Sequence, residues 1–152
     1  MTFLLYIVIV IASFFFMEFV AWFTHKYVMH GFLWILHKDH HIRDGRKIER
    51  NDLFAVIFAL PSIILIIAGI NGSFDFRFYI GIGIALYGTG YFLFHDVYVH
   101  QRVKLFKSYS NRYLSAISEA HRDHHTYGSL KNYGFLIAPA AYYRKAYNRQ
   151  KS

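Results

Sequence analysis

The sequence predicts an all-α integral membrane protein, in which three transmembrane helices carry a histidine-rich helical cap on their cytoplasmic side. Three observations support this fold class. The 152-residue chain is 55% hydrophobic and 20% aromatic, it has three apolar stretches long enough to cross a bilayer, and its histidines follow those stretches in compact clusters. The chain has no low-complexity tract or linker, so we expect residues 1–152 to form a single domain.

The predicted spans are the stretches that match the length of about 20 helical residues needed to cross a bilayer. The first covers residues 2–23 and contains one charged residue, Glu18. The second, 53–70, and the third, 78–94, contain no charge, although the second includes Pro61, which membrane helices tolerate. Four glycines of the third span are suited to close helix contact: Gly81, Gly83, Gly88 and Gly90.

A fourth apolar segment, 133–143, is short and interrupted by a proline. We expect it to be a re-entrant or interfacial piece, and a full span is the alternative. No basic residue precedes the first span and no small-residue cleavage site follows it, so we expect this span to be retained as an anchor.

The basic residues predict the orientation of the chain. All but one of the 17 Lys and Arg residues lie in 24–52, in 100–131, or in the tail from Arg144 onward. The positive-inside rule therefore places the N-terminus outside and the histidine clusters at the cytoplasmic face. The net charge of +8 is bunched beside apolar spans, which favours contact with anionic lipid over nucleic acid.

All ten histidines fall into four clusters, and the spacings H-x4-H and then H-x2-H-H occur twice in the same order. Imidazole is a common ligand for transition metals, and the absence of cysteine excludes thiolate sites. One H-x2-H-H alone would be equally compatible with a solvent-facing basic turn, but the repeated pattern predicts a polynuclear metal site. The candidate ligands are His25, His30, His37, His40, His41, His95, His100, His121, His124 and His125.

Helix geometry refines this prediction. In each H-x2-H-H triplet the three imidazoles share an arc of roughly 100° on an α-helix, whereas the two histidines of H-x4-H diverge by roughly 140°. We therefore expect each H-x4-H pair to serve two neighbouring ions, in a dinuclear centre with about five nitrogen ligands for each metal. Gly31, directly after His30, is expected to end or bend the first helix.

Three acidic residues are candidates to accept a hydrogen bond from the N–H of a ligating imidazole. Glu18 lies on nearly the same helix face as His25, and its alternative role is a packing hydrogen bond to a tyrosine. Asp39 and Asp123 occupy the same position in the two triplets, and each could instead be a solvated charge.

Two other classes of metal-binding membrane protein fit the sequence less well. A haem cytochrome would usually place single histidines inside its spans, and the adjacent pair His40–His41 would crowd a porphyrin. A metal carrier would need polar ligands along a path through the membrane, whereas the predicted spans hold one acid and no histidine.

The chain resembles a known family in segments that extend beyond the histidines. These are HKYVMHG with HKDHH, then RNDLFAVIFA, YGTGYFLFHDVYVHQR, AHRDHH and YGFLIAP, in this order. They are similar to the bacterial β-carotene hydroxylases of the fatty acid hydroxylase and sterol desaturase superfamily of membrane di-iron enzymes. The resemblance covers most of the chain from about residue 21 to 139, and the family's metal ligands map onto all ten histidines.

The resemblance implies a non-haem di-iron monooxygenase of the bacterial inner membrane that uses O2 to hydroxylate C3 of the β-ionone rings. β-Carotene would then pass through β-cryptoxanthin to zeaxanthin, and a fatty acyl or sterol substrate is the alternative. The implied cofactor is a pair of iron ions, which zinc could replace in a purified sample. No G-x-G-x-x-G motif for a nucleotide cofactor is present, so an external electron donor such as ferredoxin is expected.

Overall fold

The computed structural model describes residues 2–42, 48–103, 111–126 and 131–149, and the regular structure in these ranges is entirely helical. We number the α-helices in chain order and call the two π-helical stretches the first and second π segments. Their bounds are α1 Thr2–Phe23, first π segment Thr24–Phe32, α2 Trp34–His41, α3 Asp52–Asn71, α4 Phe76–Tyr91, second π segment Phe92–Val99, α5 Arg112–Thr126 and α6 Ala140–Arg149.

Three helical rods in the described residues are long and apolar enough to cross a membrane, which confirms the three predicted spans. They are Phe3–Phe32, Asp52–Asn71 and Phe76–Val99. The first and third are longer than predicted because each α-helix continues directly into a π segment. Large apolar side chains stay exposed on these rods, including Phe16 at 62% and Ile64 at 63%, as expected of surfaces that face lipid.

Helices α3 and α4 form a hairpin that is tight near its turn. A Cβ atom added at Gly69 would collide with the backbone of Phe78, and one added at Gly81 would lie 2.9 Å from the carbonyl oxygen of Ser62. The Ser62 hydroxyl donates a hydrogen bond of 2.7 Å to the carbonyl oxygen of Gly81. Small residues therefore allow the two helix backbones to approach closely at this end.

The predicted contact role holds for only two of the four glycines in the third span. A Cβ atom at Gly83 would lie 2.7 Å from the carbonyl oxygen of Val10, so α4 also packs closely on α1. The prediction is wrong for Gly88, where an added Cβ would meet no atom within 4 Å, and for Gly90, where it would meet only the Leu136 side chain at 3.6 Å. Helix α4 therefore separates from α3 towards its C-terminal end.

Residues 133–143 do not form one helix, because the chain is irregular as far as Pro139 and α6 begins at Ala140. The backbone N–H groups of residues 135–137 donate hydrogen bonds of 3.0 to 3.2 Å to the carboxyl group of Glu18 in α1. The segment therefore folds back against the C-terminal part of α1, as expected of a re-entrant piece. It contributes to a core that consists of Met17, Ala21, Tyr87 and Leu136.

Helix α6 holds α5 in place beside this re-entrant segment. The buried carboxylate of Glu119 on α5 accepts hydrogen bonds from Lys145 and Arg149 on α6. The Tyr142 hydroxyl donates to Asp123 at 2.8 Å. These contacts fix the helix that carries the second histidine triplet.

Candidate metal centre

His25 and His30 lie in the first π segment, and His95 lies in the second, which His100 directly follows. This π geometry changes the direction of the side chains in both H-x4-H pairs. In a π-helix each N–H donates to the carbonyl five residues earlier, so residues at i and i+5 lie above one another. The backbone N–H of His100 donates to the carbonyl oxygen of His95 at 2.9 Å, which is such a bond. The Nε2 atoms of His25 and His30 are 3.2 Å apart. The predicted divergence of each pair is therefore wrong, and both members face the same site.

Gly31 bends the chain near the end of the first π segment, as predicted. Its backbone has φ −99° and ψ −125°, which is not helical, and the chain turns there before α2 begins at Trp34. This bend brings α2 back beside the first π segment, so that the Nε2 atoms of His37 and His25 lie 3.1 Å apart.

The histidine nitrogens converge in two adjacent groups, which we call site A and site B. Within each group the candidate ligand atoms all lie within 4.8 Å of one another. Site A consists of His25, His30, His37, His41 and His124, and site B of His40, His95, His100 and His121.

Each triplet is divided between the sites, which the prediction of a shared helix face did not anticipate. On α2, His37 and His41 join site A, but the Nε2 atom of His40 lies 3.1 Å from that of His95 in site B. On α5, the middle histidine crosses in the opposite direction, and the Nε2 atoms of His124 and His30 are 3.0 Å apart. The two triplets therefore exchange their middle histidines: His40 of α2 joins site B, and His124 of α5 joins site A.

His125 lies between the two groups. Its ring stacks on that of His41 in site A at a centroid distance of 4.2 Å. It is also 4.6 Å from the ring of His121 and 5.0 Å from that of His100, both in site B. The structure thus brings all ten predicted histidines into one cluster of rings.

The outward-facing nitrogens of several histidines are held by oxygen atoms. The Nδ1 atoms of His25, His37, His40 and His124 lie 3.0, 2.7, 2.9 and 2.8 Å from the Tyr133 carbonyl, Asn51 Oδ1, Glu49 Oε2 and the Lys131 carbonyl, respectively. Such contacts fix both the tautomer and the ring orientation of a metal-binding histidine.

These contacts determine what the inward-facing nitrogens can do. A backbone carbonyl only accepts hydrogen bonds, so the Nδ1 atoms of His25 and His124 must carry the hydrogen, and both Nε2 atoms present bare lone pairs. Both Nε2 atoms belong to site A and lie within 4.8 Å of each other. Lone pairs that converge in a buried site repel one another unless a cation lies between them. The donor set therefore fits a metal ion.

The pKa values of the histidines outside the spans favour the metal-binding form. Burial lowers the pKa of His37 to about 4 and that of His41 to about 2. Burial also lowers the pKa of His40 and of His121 well below the usual range, and neighbouring imidazoles add to the effect. These rings are therefore neutral at physiological pH, as metal coordination requires.

The three acidic candidates accept hydrogen bonds from groups other than histidines. Glu18 accepts a bond of 2.7 Å from the Tyr87 hydroxyl, which is the packing alternative, as well as the backbone bonds described above. Asp39 accepts from the backbone N–H of Arg50 at 2.7 Å, and Asp123 accepts from Tyr142. Each fixes a part of the fold that surrounds the histidines.

The residues that contact the imidazole Nδ1 atoms could not be identified from the sequence, because they belong to no repeated pattern. Glu49 and Asn51 reach α2 only because the chain folds back before α3, and the only signal for Asn51 is its place in the RNDLFAVIFA segment. Asp96 directly follows His95, and its Oδ1 lies 3.4 Å from the Nδ1 of that ring.

Arg102 links the acidic groups beside site B. Its guanidinium donates to Asp52 at 2.6 and 2.8 Å and to Asp96 at 3.1 Å. Asp52 in turn accepts from the backbone N–H of Glu49 at 3.0 Å. The Asp96 carboxylate beside His95 and the backbone of Glu49 beside His40 are thus held by one charged network.

Comparison with known proteins identifies relatives over most of the chain. Residues 10–140 match the family model described as fatty acid hydroxylase. The chain is 42% identical over 133 residues to a β-carotene hydroxylase of Pseudescherichia vulneris, covering 86% of this chain and 75% of the relative. A β-carotene hydroxylase of Pantoea ananas is 41% identical over 126 residues, 81% of this chain and 71% of the relative. A β-carotene hydroxylase of Paracoccus sp. (strain PC1) is 36% identical over 135 residues, which cover 86% of this chain and 83% of the relative. No solved structure matches the chain significantly.

Proposed function

Because this chain belongs to the fatty acid hydroxylase family, we propose that it is an O2-dependent oxygenase that hydroxylates C3 of the β-ionone rings of β-carotene. The reaction would proceed through β-cryptoxanthin to zeaxanthin. The observation that carries the proposal is the pair of adjacent histidine sites inside a membrane protein whose relatives are named β-carotene hydroxylases. A fatty acyl or sterol substrate remains the alternative.

We propose that site A and site B each hold one iron ion, and that all ten histidines are ligands. His125 occupies the same position in its triplet as His41, so the repeat assigns it to site B as His41 is assigned to site A. Each site then has five imidazoles. Because both halves of the chain supply ligands to both sites, we also propose that residues 1–152 act as a single domain.

The all-nitrogen donor set suits iron, although zinc would also bind to it. When bound, the metals would supply the activation of dioxygen that an unactivated ring C–H bond requires. The protein holds the rings in place through the Nδ1 contacts of His25, His37, His40 and His124. These four rings are each no more than 2% exposed, so the chain also keeps bulk water away from the reacting atoms.

The position of the sites suits a substrate that is dissolved in the bilayer. His25 and His95 lie near the ends of two of the membrane-spanning rods. Phe135 stacks on His25 at 4.8 Å and Tyr91 on His95 at 4.6 Å, so aromatic rings border the sites on the side of the membrane. A carotenoid could present one end ring here while its polyene remains in an apolar environment.

The proposed reaction is tested by pigment analysis of a bacterium that accumulates β-carotene and expresses this chain. We expect β-cryptoxanthin and zeaxanthin to appear, and we expect neither with His37→Ala, because this change removes a buried ligand candidate. Unchanged β-carotene, with wild-type protein present in the membrane and iron bound, would contradict β-carotene as the substrate. It would not contradict the proposed metal sites. Hydroxylated fatty acids or sterols in the same extracts would support the alternative.

We propose that the histidine sites face the cytoplasm of a bacterial inner membrane, with the N-terminus outside. The exposed basic residues Lys38, Arg50, Arg122 and Arg144 then lie on the face that an acidic electron donor such as ferredoxin would approach. The two electrons required for hydroxylation would enter there.

Single cysteines test this orientation cleanly, because the chain has none of its own. In intact cells we expect a membrane-impermeant thiol reagent to label Ser73→Cys, in the exposed turn between α3 and α4, and to leave Lys38→Cys unlabelled. Permeabilised cells are the control, in which both should react. Labelling of Lys38→Cys from outside would contradict both the orientation and the docking of a cytoplasmic donor.

A further inference from the structure

A cavity of about 530 Å³ lies between α1, α3 and α4. Its walls are mainly apolar, and the lining residues on one side run from Asn51, directly before α3, to Ile66 within α3. At 1.5 Å for each helical residue, this wall is about 22 Å long. The volume falls within the range of sites that hold small molecules, and the shape is that of an elongated ligand.

The cavity opens sideways where α3 and α4 separate. The two helices touch near Gly69 and Gly81, but the Cβ direction of Gly88 points into open space. Gly88 on α4 and Ala59 on α3 both line the cavity and are both exposed, so the opening faces the surroundings of the transmembrane rods. An apolar molecule could therefore enter from the bilayer without passing through water.

One end of the cavity reaches the groups that support the metal sites. Asn51, which holds His37, and Asp96, beside His95, are both part of its lining. Tyr91 and Phe135 line the cavity as well, and their rings stack on those of His95 and His25. The polar groups Asn51, Asp52 and Asp96 lie at this end, while Ile63, Ile66 and Ile84 line the walls farther away.

From this arrangement we propose that the cavity is the substrate-binding site and that it takes one end of a carotenoid laterally from the bilayer. The inference rests on the proposed function and adds where the substrate binds. The end ring lies at the polar end, next to Tyr91 and Phe135, and the polyene extends along α3 and out through the opening between Ala59 and Gly88. Tyr91 and Phe135 line this end of the cavity and stack on His95 and His25, so we propose that these two side chains position the ring beside the metal sites.

Substitutions that fill the cavity test this proposal. Gly88→Phe and Ala59→Phe place an aromatic ring in the cavity from opposite walls, and the open space at Gly88 means that the backbone need not move. Leu86→Phe and Leu60→Phe are the matched controls, because these leucines are 49% and 51% exposed on the same two helices and do not line the cavity. Gly88→Ala adds one methyl group and serves as a graded variant.

Two readouts are needed for each variant: hydroxylated products in cells, and β-carotene retained by protein purified in detergent. We expect both to fall by at least about tenfold in Gly88→Phe and Ala59→Phe, since a filled pocket discriminates this strongly. We expect Leu86→Phe and Leu60→Phe to stay close to wild type and Gly88→Ala to lie between them and the filled variants, with iron content unchanged throughout. Iron content and protein recovery separate a blocked cavity from a misfolded chain.

The outcomes separate the cavity from the reaction. If the filled variants retain β-carotene and turn it over like the controls, the cavity is not the substrate site and the proposed function is unaffected. If wild-type protein retains β-carotene, the filled variants do not, and no product forms, then the cavity binds the carotenoid and the proposed reaction is contradicted. If filling displaces phospholipid instead, with β-carotene retention unchanged, the occupant is an acyl chain and the carotenoid proposal is overturned.

Discussion

Replacing His40 with alanine is expected to abolish turnover and to remove iron from site B, although its helix contributes its other histidines to site A. The Nε2 of His40 faces that of His95, and the ring is fully buried. Loss of a group that merely orients a ligand typically costs roughly 10–100-fold in metal affinity, so loss of a proposed ligand should cost at least as much. His124→Ala should act on site A in the same way, because it is the histidine that crosses from α5.

Iron content per chain and product formation, measured on the same membranes, check this prediction. Lys38→Ala is the matched control, since Lys38 lies on the same helix and is exposed. We expect Lys38→Ala to bind the full amount of iron and to remain active. Full iron content and activity in His40→Ala would remove this residue from the ligand set and contradict the exchange of histidines between the two halves.

Replacing Glu18 with leucine is expected to prevent the chain from folding stably in the membrane. The carboxyl group is buried and accepts hydrogen bonds from the Tyr87 hydroxyl and from the backbone of residues 135–137. Each buried donor left without an acceptor costs about 1–3 kcal/mol. With four donors affected, the expected loss of several kcal/mol is comparable to the whole stability of a small domain, about 5–15 kcal/mol.

The graded variants Glu18→Gln and Tyr87→Phe separate this cause from a simple loss of packing. Glu18→Gln keeps one acceptor oxygen for the re-entrant backbone, and Tyr87→Phe removes only one donor, so both should fold with a lower Tm. The measurement is the thermal unfolding of the detergent-purified proteins, together with their yield from membranes. A Glu18→Leu protein with wild-type yield and Tm would show that the re-entrant segment does not depend on this carboxyl group.

The three spans could be predicted because the requirement on them is local. Any stretch of about 20 apolar residues without charges satisfies the bilayer as a helix, wherever the rest of the chain lies. The bend at Gly31 was predictable for the same reason, since it depends on one residue and its neighbours. The histidines themselves could be identified from their spacing, which repeats along the chain.

The directions of the histidines could not be predicted in this way. An i, i+5 pair diverges on an α-helix and aligns on a π-helix, and nothing in HKYVMH or HDVYVH distinguishes the two. The π geometry brings both members of each pair to one site. The tertiary arrangement of the site, and not the local sequence, therefore accounts for the π geometry. The division of each triplet depends equally on where α2 and α5 sit relative to both sites.

The partners of the buried acidic groups were also beyond local reasoning. The partners of Glu18 lie 69 to 119 positions away in the chain, whereas its spacing from His25 suggested a histidine as the partner. The prediction that Gly88 contacts a neighbouring helix was wrong. Composition does not distinguish a glycine that packs against a helix from one that lines a cavity.

The exchange of the middle histidines has a consequence for the order of events in biosynthesis. Site A lacks His124 until α5 has been made, although its other four members belong to the first third of the chain. All three transmembrane rods must therefore be synthesised before either site is complete. Delivery of the proposed iron ions would thus be a late step of maturation, and a nascent chain halted after the third rod would have no complete site for them.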